Sequence, residues 1–203
     1  MSAGPLVVIL GAGHGTRMGG PKLFREHGGR TFLERILARC RESASPTILV
    51  IDPRVRREAD VLLERLGQPK LARVETDGHR PMLESIHAAL LSPAFASCSG
   101  TTAGFWLWPV DAPFLSTVGW SRALAAVGGD PEAIWKLRAG GKTGHPIWFP
   151  AWSVAEIRDG AWPNGLLGFL ATHGDRIRVL PLEGEWIGDF NTPESLAAVP
   201  DSL

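Results

Sequence analysis

The chain has 203 residues, of which 44% are hydrophobic and 21% charged, so it should form an ordinary globular core rather than a disordered or collagen-like chain. Its 21 Lys and Arg are matched by 21 Asp and Glu, and a protein without a basic surplus is poorly suited to neutralise the phosphates of DNA or RNA. No linker-like shift in composition divides the chain, so a single domain over residues 1–203 is expected.

The predicted elements alternate between strand and helix from the start. Residues 5–10 form a continuous apolar run that stops at glycines, which is typical of a strand buried on both faces of a parallel sheet. Residues 31–41 are predicted to form an amphipathic helix, because Thr31 and Glu34 have capping-box spacing and the apolar residues behind them recur at helical intervals. A glycine-rich loop therefore leads from the first strand towards this helix.

A second buried strand at 47–51 is followed by Asp52 and Pro53, which suit the N-cap and first position of a helix that Gly67 can end. The remaining elements follow the same patterns. They are strands at 71–75, 105–110, 133–137, 146–149 and 176–182, and helices at 82–91, after Ser116 and after Thr192-Pro193. This alternation predicts right-handed crossovers, a mainly parallel sheet and a ligand site along its carboxyl edge.

Cysteine content and the first residues indicate a cytoplasmic protein. Cys40 and Cys98 are the only cysteines, and a chain of this size needs no disulfide framework, so a reducing compartment is expected. The apolar run at 6–10 is too short for a signal peptide or a membrane span. We expect a monomer or small homo-oligomer with no membrane partner.

The loop at 10–22 reads LGAGHGTRMGGPK and places five glycines after the first strand, with Arg17 and Lys22 among them. Glycines allow positive φ and close backbone approach, so successive N–H groups can point at one anion while the two side chains supply positive charge. A polyphosphate is the natural ligand of such a loop. The alternative is a glycine-rich turn that leaves both cations in water.

Two familiar phosphate motifs do not fit this loop. The dinucleotide fingerprint needs glycine where Thr16 stands, and a Walker loop needs a Gly-Lys-Ser/Thr tripeptide that the loop lacks. Residues 141–143 do read Gly-Lys-Thr, but Lys136 stands where the first Walker glycine belongs, and Pro146 would break the helix that should follow.

The loop resembles the L-A-A-G-x-G-x-R-M-G-x-x-K signature of MobA-like nucleotidyltransferases, the family of the molybdenum-cofactor cytidylyl- and guanylyltransferases. Three later segments resemble family motifs in the same order: WPVDAP at 108–113, GHP at 144–146 and DFNTPES at 189–195. The resemblance implies a Rossmann-like, three-layer α/β fold of the GT-A type with a mainly parallel mixed sheet. It also implies Mg²⁺-dependent transfer of an NMP group from CTP or GTP to a small phosphorylated acceptor such as molybdopterin, with release of pyrophosphate.

The resemblance assigns catalytic roles to Arg17, Lys22 and Asp111, with the two cations meeting the charge that grows on the leaving pyrophosphate. It places a larger set of residues around the nucleotide. These are Leu10, Gly11, Ala12, Gly13, Gly15, Thr16, Arg17, Lys22, Asp77 and Ser85.

Asp111 is the first expected metal ligand. It ends the strand predicted at 105–110, at the sheet edge that should hold the ligand, and Mg²⁺ on a triphosphate needs only one or two carboxylates. The resemblance places the second half of the metal site at Asp189 and Asn191, where the chain mixes the two-aspartate and two-asparagine patterns of the family. Either oxygen could coordinate, and for either residue simple capping of the helix after Thr192 is the alternative.

His14 and His145 are not expected to bind a transition metal, because no other His or Cys lies at ligand spacing from either. Tryptophans are interpreted as core residues rather than as a stacking platform where they lie in predicted strands. These are Trp106, Trp108, Trp135 and Trp148.

Three functions remain open at this point. They are a molybdenum-cofactor-type nucleotidyltransferase, a related transferase that acts on a sugar phosphate or another small phosphate, and a non-catalytic nucleotide-binding protein of the same fold. Retention of Lys22 and Asp111 favours an enzyme, and the lack of hexapeptide repeats favours the first function. Between Asn164 and His173 the chain lacks the arginine that cofactor cytidylyltransferases usually show, so the acceptor could differ from molybdopterin.

Overall fold

The computed structural model describes residues 4–15, 19–99 and 103–200, and a seven-stranded sheet forms its centre. The strands are β1 (Leu6–Leu10), β2 (Glu26–His27), β3 (Arg30–Thr31), β4 (Thr47–Ile51), β5 (Ala72–Glu75), β6 (Gly104–Pro109), β7 (Ile134–Ala139), β8 (Lys142–Pro150) and β9 (Ile177–Pro181). The α-helices are α1 (Phe32–Glu42), α2 (Arg56–Arg65), α3 (Met82–Leu90), α4 (Pro93–Ser99), α5 (Thr117–Gly129), α6 (Ala151–Asp159), α7 (Leu166–Thr172) and α8 (Pro193–Ala197).

The strand order of the large sheet is β5-β4-β1-β6-β8-β7-β9. β1 pairs in parallel with β4 and β6, and β5 pairs in parallel with β4. β8 runs antiparallel to both β6 and β7, whereas β9 is parallel to β7. The predicted α/β fold with a mainly parallel mixed sheet is confirmed, and the carboxyl ends of β4, β1 and β6 lie side by side at one edge.

The side chains of β1 alternate between two cores. Val7 and Ile9 pack beneath α1, α2 and α5, whereas Leu6, Val8 and Leu10 pack beneath α3, α6 and α7. Successive side chains of a strand point to opposite faces, so a strand covered on both faces needs the continuous apolar run that the sequence shows.

The strand tryptophans lie in the core, as predicted. Trp106, Trp108 and Trp148 are almost fully buried. Trp135 is half-buried and its indole N–H donates to the carbonyl of Asp130 over 2.9 Å. Large apolar side chains fill the sheet faces here, which leaves no stacking platform on these strands.

The ends of the helices and strands can be compared with the caps and turns predicted from the sequence. Thr31 caps α1, and its hydroxyl accepts from the Glu34 backbone N–H over 3.1 Å. The Gly-Lys-Thr tripeptide lies where β7 turns into β8, so it is part of a hairpin. The small β2–β3 hairpin, the 3-10 turn Lys22–Phe24 and α4 had no clear signal in the sequence.

Within the described part of the chain, no helix has the length and apolar character needed to cross a bilayer.

Candidate active site

Three segments that are distant in the sequence meet at the carboxyl edge of the sheet. Lys22 Nζ donates a hydrogen bond to Asp111 Oδ2 over 2.6 Å and another to the amide oxygen of Asn191. The side chains of Lys22 and Asp111 are only 14% and 21% exposed. The ammonium group therefore ties the loop after β1 to residues that follow β6 and β9.

Local structure positions these side chains. Lys22 begins the 3-10 turn Lys22–Phe24, in which the fully buried Leu23 anchors the backbone in the core. Asp111 comes two residues after the end of β6, and its carbonyl accepts from the backbone N–H of Phe190 over 2.9 Å. This hydrogen bond holds the two residues that flank Phe190 beside the end of β6.

A cavity of about 450 Å³, here called the first cavity, opens beside the Lys22–Asp111 pair. Its lining comes from the glycine-rich loop, the end of β6 and the start of α3. The lining residues are Leu10, Ala12, Gly13, Gly15, Lys22, Gly78, Arg80, Met82, Ser85, Pro109, Val110, Asp111 and Asn191. The glycine-rich loop closes on itself, because the Gly20 backbone N–H donates to the Gly15 carbonyl over 3.2 Å.

The loop before α3 packs directly on the glycine-rich loop. A Cβ atom on Gly78 would overlap the carbonyl oxygen of Ala12, so only glycine allows this approach. The Gly78 N–H also donates to Asp52 Oδ2 over 2.8 Å, which fixes the loop to the end of β4. As a result Gly78 and Arg80 line the first cavity, whereas Asp77, the predicted nucleotide contact, lies outside this lining.

Asp77 belongs to a polar cluster with His14 and His79. Its Oδ1 accepts from the His79 backbone N–H over 3.0 Å, and the two imidazole rings stack with centroids 4.0 Å apart. The ligand-type atoms of the three residues lie within 4.8 Å of one another. No ligand spacing in the sequence relates His14 to His79, and the two come together because their loops meet in the fold. The Arg54 guanidinium lies 2.7 Å from Nε2 of His14 and 3.3 Å from Nε2 of His79, so the cluster already contains a cation.

Asp52 holds Arg54 in this position. Its carboxylate accepts from the Arg54 backbone N–H over 2.8 Å and from the guanidinium over 2.8 and 2.7 Å. These hydrogen bonds from Arg54, and the one from Gly78, hold the pKa of Asp52 well below its usual range. The predicted N-cap role of Asp52 is confirmed, since it caps the 3-10 turn Pro53–Val55 that precedes α2.

A second cavity, of about 520 Å³, shares Met82 with the first. It is lined by β7, β8, the start of α3 and the segment that leads into α7. The lining residues are Pro81, Met82, Leu83, Lys136, Thr143, Gly144, His145, Ile147, Asn164, Gly165, Leu166, Leu167, Leu170 and Asp189. Asp189 thus faces the second cavity, whereas Asn191 faces the first.

Asp189 and His145 line the second cavity, and the charge of Asp111 in the first cavity acts on both. Burial and then the negative charge of Asp111 raise the pKa of Asp189. Burial lowers the pKa of His145, against the opposing pull of the Asp189 charge. A Cβ atom on Gly144 would overlap the carbonyl oxygen of Ile187, so the glycine of the GHP motif lets the segment before Asp189 pack against β8.

The donor set suits a hard divalent cation. Asp111 and Asp189 supply carboxylate oxygens and Asn191 an amide oxygen, which are the ligand types that Mg²⁺ and Mn²⁺ take. The charge of Asp111 acts on Asp189, and the Lys22 ammonium group supplies the positive charge beside Asp111 and Asn191. The residues present therefore fit such an ion.

The structure brings most of the predicted site residues together. Those in the wall of the first cavity are Leu10, Ala12, Gly13, Gly15, Lys22, Ser85, Asp111 and Asn191. The Gly11 N–H pairs with the carbonyl of Val50 over 2.8 Å and extends the β1 ladder, so Gly11 lies beneath the cavity wall. Thr16 and Arg17 lie outside the described residues.

Sequence reasoning missed several lining residues. Arg80 lies just before α3 and Met82 is its first residue. Lys136 and Leu167 belong to the second cavity, where the family motifs contribute only Gly144, His145 and Asp189. The only available signal was an unexplained lysine in an apolar strand and a leucine pair after Gly165.

A mainly parallel sheet that carries a glycine-rich loop, a lysine and carboxylates at its carboxyl edge defines an α/β nucleotide-binding protein. The chain belongs to the MobA-like NTP transferase domain family, whose model matches residues 7–177. It is therefore a nucleotidyltransferase, as its four motifs predicted.

Solved structures with the same fold agree with the predicted GT-A type. Rv0371c from Mycobacterium tuberculosis H37Rv is 20% identical, with 97% of each chain covered and a TM-score of 0.75. A manganese complex of Rv0371c gives a TM-score of 0.72 at 20% identity, over 97% of this chain and 100% of that one. A 4-diphosphocytidyl-2C-methyl-D-erythritol synthase gives 0.71 at 16% identity, with 97% of each chain covered. Among curated proteins no significant sequence match was found.

Proposed function

We propose that the protein transfers an NMP group from CTP or GTP to a small phosphorylated acceptor and releases pyrophosphate. The observation that carries this proposal is the position of Lys22, which is bonded to Asp111 and Asn191 in the wall of a cavity that the glycine-rich loop also lines. Molybdopterin is one candidate acceptor.

In the proposed reaction the chain's own groups bind and orient the nucleotide. The backbone N–H groups of the glycine-rich loop bind the phosphates, and Lys22 meets the charge that develops on the β- and γ-phosphates. Arg17 supplies a second cation there, as the family motif implies. Ser85 is buried at the start of α3 and, with Arg80, bounds the part of the cavity left for ribose and base.

The covalent step needs little from the protein beyond position and charge. An oxygen of the acceptor phosphate forms a bond to the α-phosphorus while the bond to the bridging oxygen breaks, and pyrophosphate leaves with that electron pair. A phosphate nucleophile is already ionised at neutral pH, so no general base is required. Mg²⁺, held by Asp111 with Asp189 or Asn191, would neutralise charge on the phosphates.

Two further observations support parts of this proposal. The name of one structural relative contains a diphosphocytidyl group, so CTP is the first nucleotide to test, and another relative was crystallised with manganese. Cys40 is a buried free thiol, which agrees with a reducing compartment such as the cytoplasm.

The test is a panel of nucleoside triphosphates with Mg²⁺ or Mn²⁺, scored first by thermal stabilisation and then by pyrophosphate release with candidate acceptors. We expect CTP or GTP to stabilise the wild type, and Lys22→Ala to lower turnover on the order of a hundredfold. Lys70→Ala, at an exposed lysine away from both cavities, is the matched control. Failure of every nucleotide to bind, or wild-type turnover in Lys22→Ala, would contradict the proposal.

A further inference from the structure

The second cavity has a mixed chemistry that the transfer reaction alone does not explain. Most of its large side chains are apolar and come from three elements: Met82 and Leu83 in α3, Ile147 in β8, and Leu166, Leu167 and Leu170 in α7. Leu167 is 73% exposed and Met82 45% exposed, so the apolar surface continues to the mouth of the cavity. Exposed apolar residues that join an apolar cavity are typical of a ligand site.

A lysine stands in this apolar wall. Lys136 lies in the middle of β7, between Ile147 of β8 and Val179 of β9, and is half-buried. No hydrogen bond or ion pair joins its ammonium group to any residue in the described ranges 4–15, 19–99 and 103–200. A partly desolvated ammonium group without a partner is unfavourable, and an anionic group on a ligand would supply the partner.

The imidazole of His145 adds a polar group to the same wall. Its Nδ1 is buried and has no hydrogen-bond partner within the described part of the chain, while the Leu107 backbone also interacts with the ring. The charges of Lys136, Asp189 and Asp111 act on His145. Lys136, His145 and Asp189 therefore give one side of this cavity a polar character.

Other phosphate acceptors fit this wall less well. A sugar phosphate would bring several hydroxyl groups into a cavity whose uncharged hydroxyl and amide side chains are only Thr143 and Asn164 among the lining residues, and each hydroxyl left unpaired against the leucines would cost binding free energy. A polyanionic acceptor would need more than one cation, yet the segment at 164–173 that forms one side of the cavity contains no Arg or Lys.

We propose that the second cavity binds an acceptor whose single phosphate contacts Lys136 and whose body, an aryl or alkyl group, packs against the leucines of α7. This inference rests on the proposed function, because it assigns the acceptor of the same reaction. The phosphate lies between Lys136 and Asp189, where its oxygen reaches the nucleotide bound in the first cavity.

The experiment compares acceptors of equal charge and different body. Pyrophosphate release is measured with the preferred nucleotide and Mg²⁺, using phenyl phosphate, α-naphthyl phosphate, glucose 1-phosphate and glycerol 3-phosphate. We expect the aryl phosphates to have a KM at least about tenfold lower than the two polar phosphates, as partial burial of a ring implies. A preference for either polar phosphate would overturn the inference and leave the proposed function intact.

Two variants locate the effect in the second cavity. Leu167→Asn should weaken the apparent affinity for α-naphthyl phosphate, seen as a rise in KM of about tenfold, while nucleotide binding is unchanged. Lys136→Met should raise the KM for all the phosphates, again without an effect on the nucleotide. The controls are Leu91→Asn, at a leucine that is 68% exposed but outside the cavity, and Lys142→Met at the start of β8. An unchanged KM in Leu167→Asn would overturn the inference.

Direct binding keeps the inference testable if no acceptor supports turnover. Quenching of α-naphthyl phosphate fluorescence is then titrated with the wild type and with both variants, in the absence of nucleotide. Saturable binding that both variants weaken supports the assignment of the cavity even if the proposed transfer reaction is wrong. Absence of binding to the wild type overturns the inference, whatever the nucleotide measurements show.

Discussion

The two cavities on either side of Met82 are built in different ways. The first includes the glycine-containing loops that follow β1 and β5, whose backbones approach each other closely at Ala12 and Gly78. The second is formed by side chains, with a leucine-rich helix facing the antiparallel strand β8. Backbone groups bind what is common to all nucleoside triphosphates, whereas side chains can differ between proteins of one fold. Under the proposed function, the first cavity sets the reaction and the second sets the acceptor.

The largest expected effect falls on Asp111, in the wall of the first cavity. Asp111→Asn removes the carboxylate that pairs with Lys22, so turnover should fall on the order of a hundredfold to a thousandfold. Steady-state pyrophosphate release measures this, with Asp175→Asn at an exposed aspartate as the control. An activity loss below about threefold would mean that the negative charge of Asp111 does not contribute to catalysis.

The second prediction tests whether backbone approach forms the first cavity. In Gly78→Ala the new methyl group would overlap the Ala12 carbonyl, so the loops must separate, which costs roughly 1–3 kcal/mol of stability and weakens nucleotide binding. Gly128→Ala is the matched control, because Gly128 lies in α5 with open space around it. That change should instead stabilise the protein by about 0.5–1 kcal/mol. Urea unfolding and nucleotide titration of both variants decide the point, and equal effects would contradict it.

The third prediction concerns Asp52, which follows β4 and accepts hydrogen bonds from Arg54 and from the Gly78 backbone N–H. The folded-state pKa of Asp52 is depressed, so the stability that its ionised form contributes is present above its unfolded pKa, about 3.9, and is lost as the pH falls through the folded value. Asp52→Asn should therefore lower the free energy of unfolding by about 1–2 kcal/mol at pH 7, with solvent around the half-exposed Arg54 limiting the effect. The difference from the wild type should shrink towards pH 2. Urea unfolding at pH 7, 4 and 2.5 measures it, and a constant difference across this range would exclude the ion pair as the cause.

The smallest effect is expected at the residue that both cavities share. Met82→Ala shortens a half-exposed side chain, so the KM for the nucleotide and the KM for the acceptor should each rise about three- to fivefold. Leu167→Asn, in contrast, should change only the acceptor KM. If Met82→Ala altered just one of the two constants, the cavities would be more independent than their shared lining indicates.

The elements at the sheet edge could be predicted because their signals are local. The apolar run of β1, the glycines after it and Asp111 after β6 each lie within a few residues of the strand that positions them. Parallel pairing then brings the strand ends together whatever the details of the loops. Lys22 and Asp111 were therefore expected at one site, and they form an ion pair there.

Features that depend on long-range contacts could not be predicted in this way. His14 and His79 stack only because Gly78 packs against Ala12, and no spacing rule relates the two loops. The opposite directions of Asp189 and Asn191 depend on the backbone hydrogen bond of Phe190, which also has no sequence signal. The second cavity forms only where β8 and α7 come together in the fold. No motif in the sequence therefore marks Lys136 as one of its lining residues.

The hydrogen bond from the Phe190 backbone N–H to the Asp111 carbonyl has a consequence for truncation of the chain. Every strand of the large sheet ends by Pro181, but Asp189 and Asn191 lie in the segment that follows. A chain that stopped at Pro181 would contain every strand and the glycine-rich loop but would lack two of the three residues proposed to hold the metal. Truncation there would therefore remove most of the proposed metal site without removing a single strand.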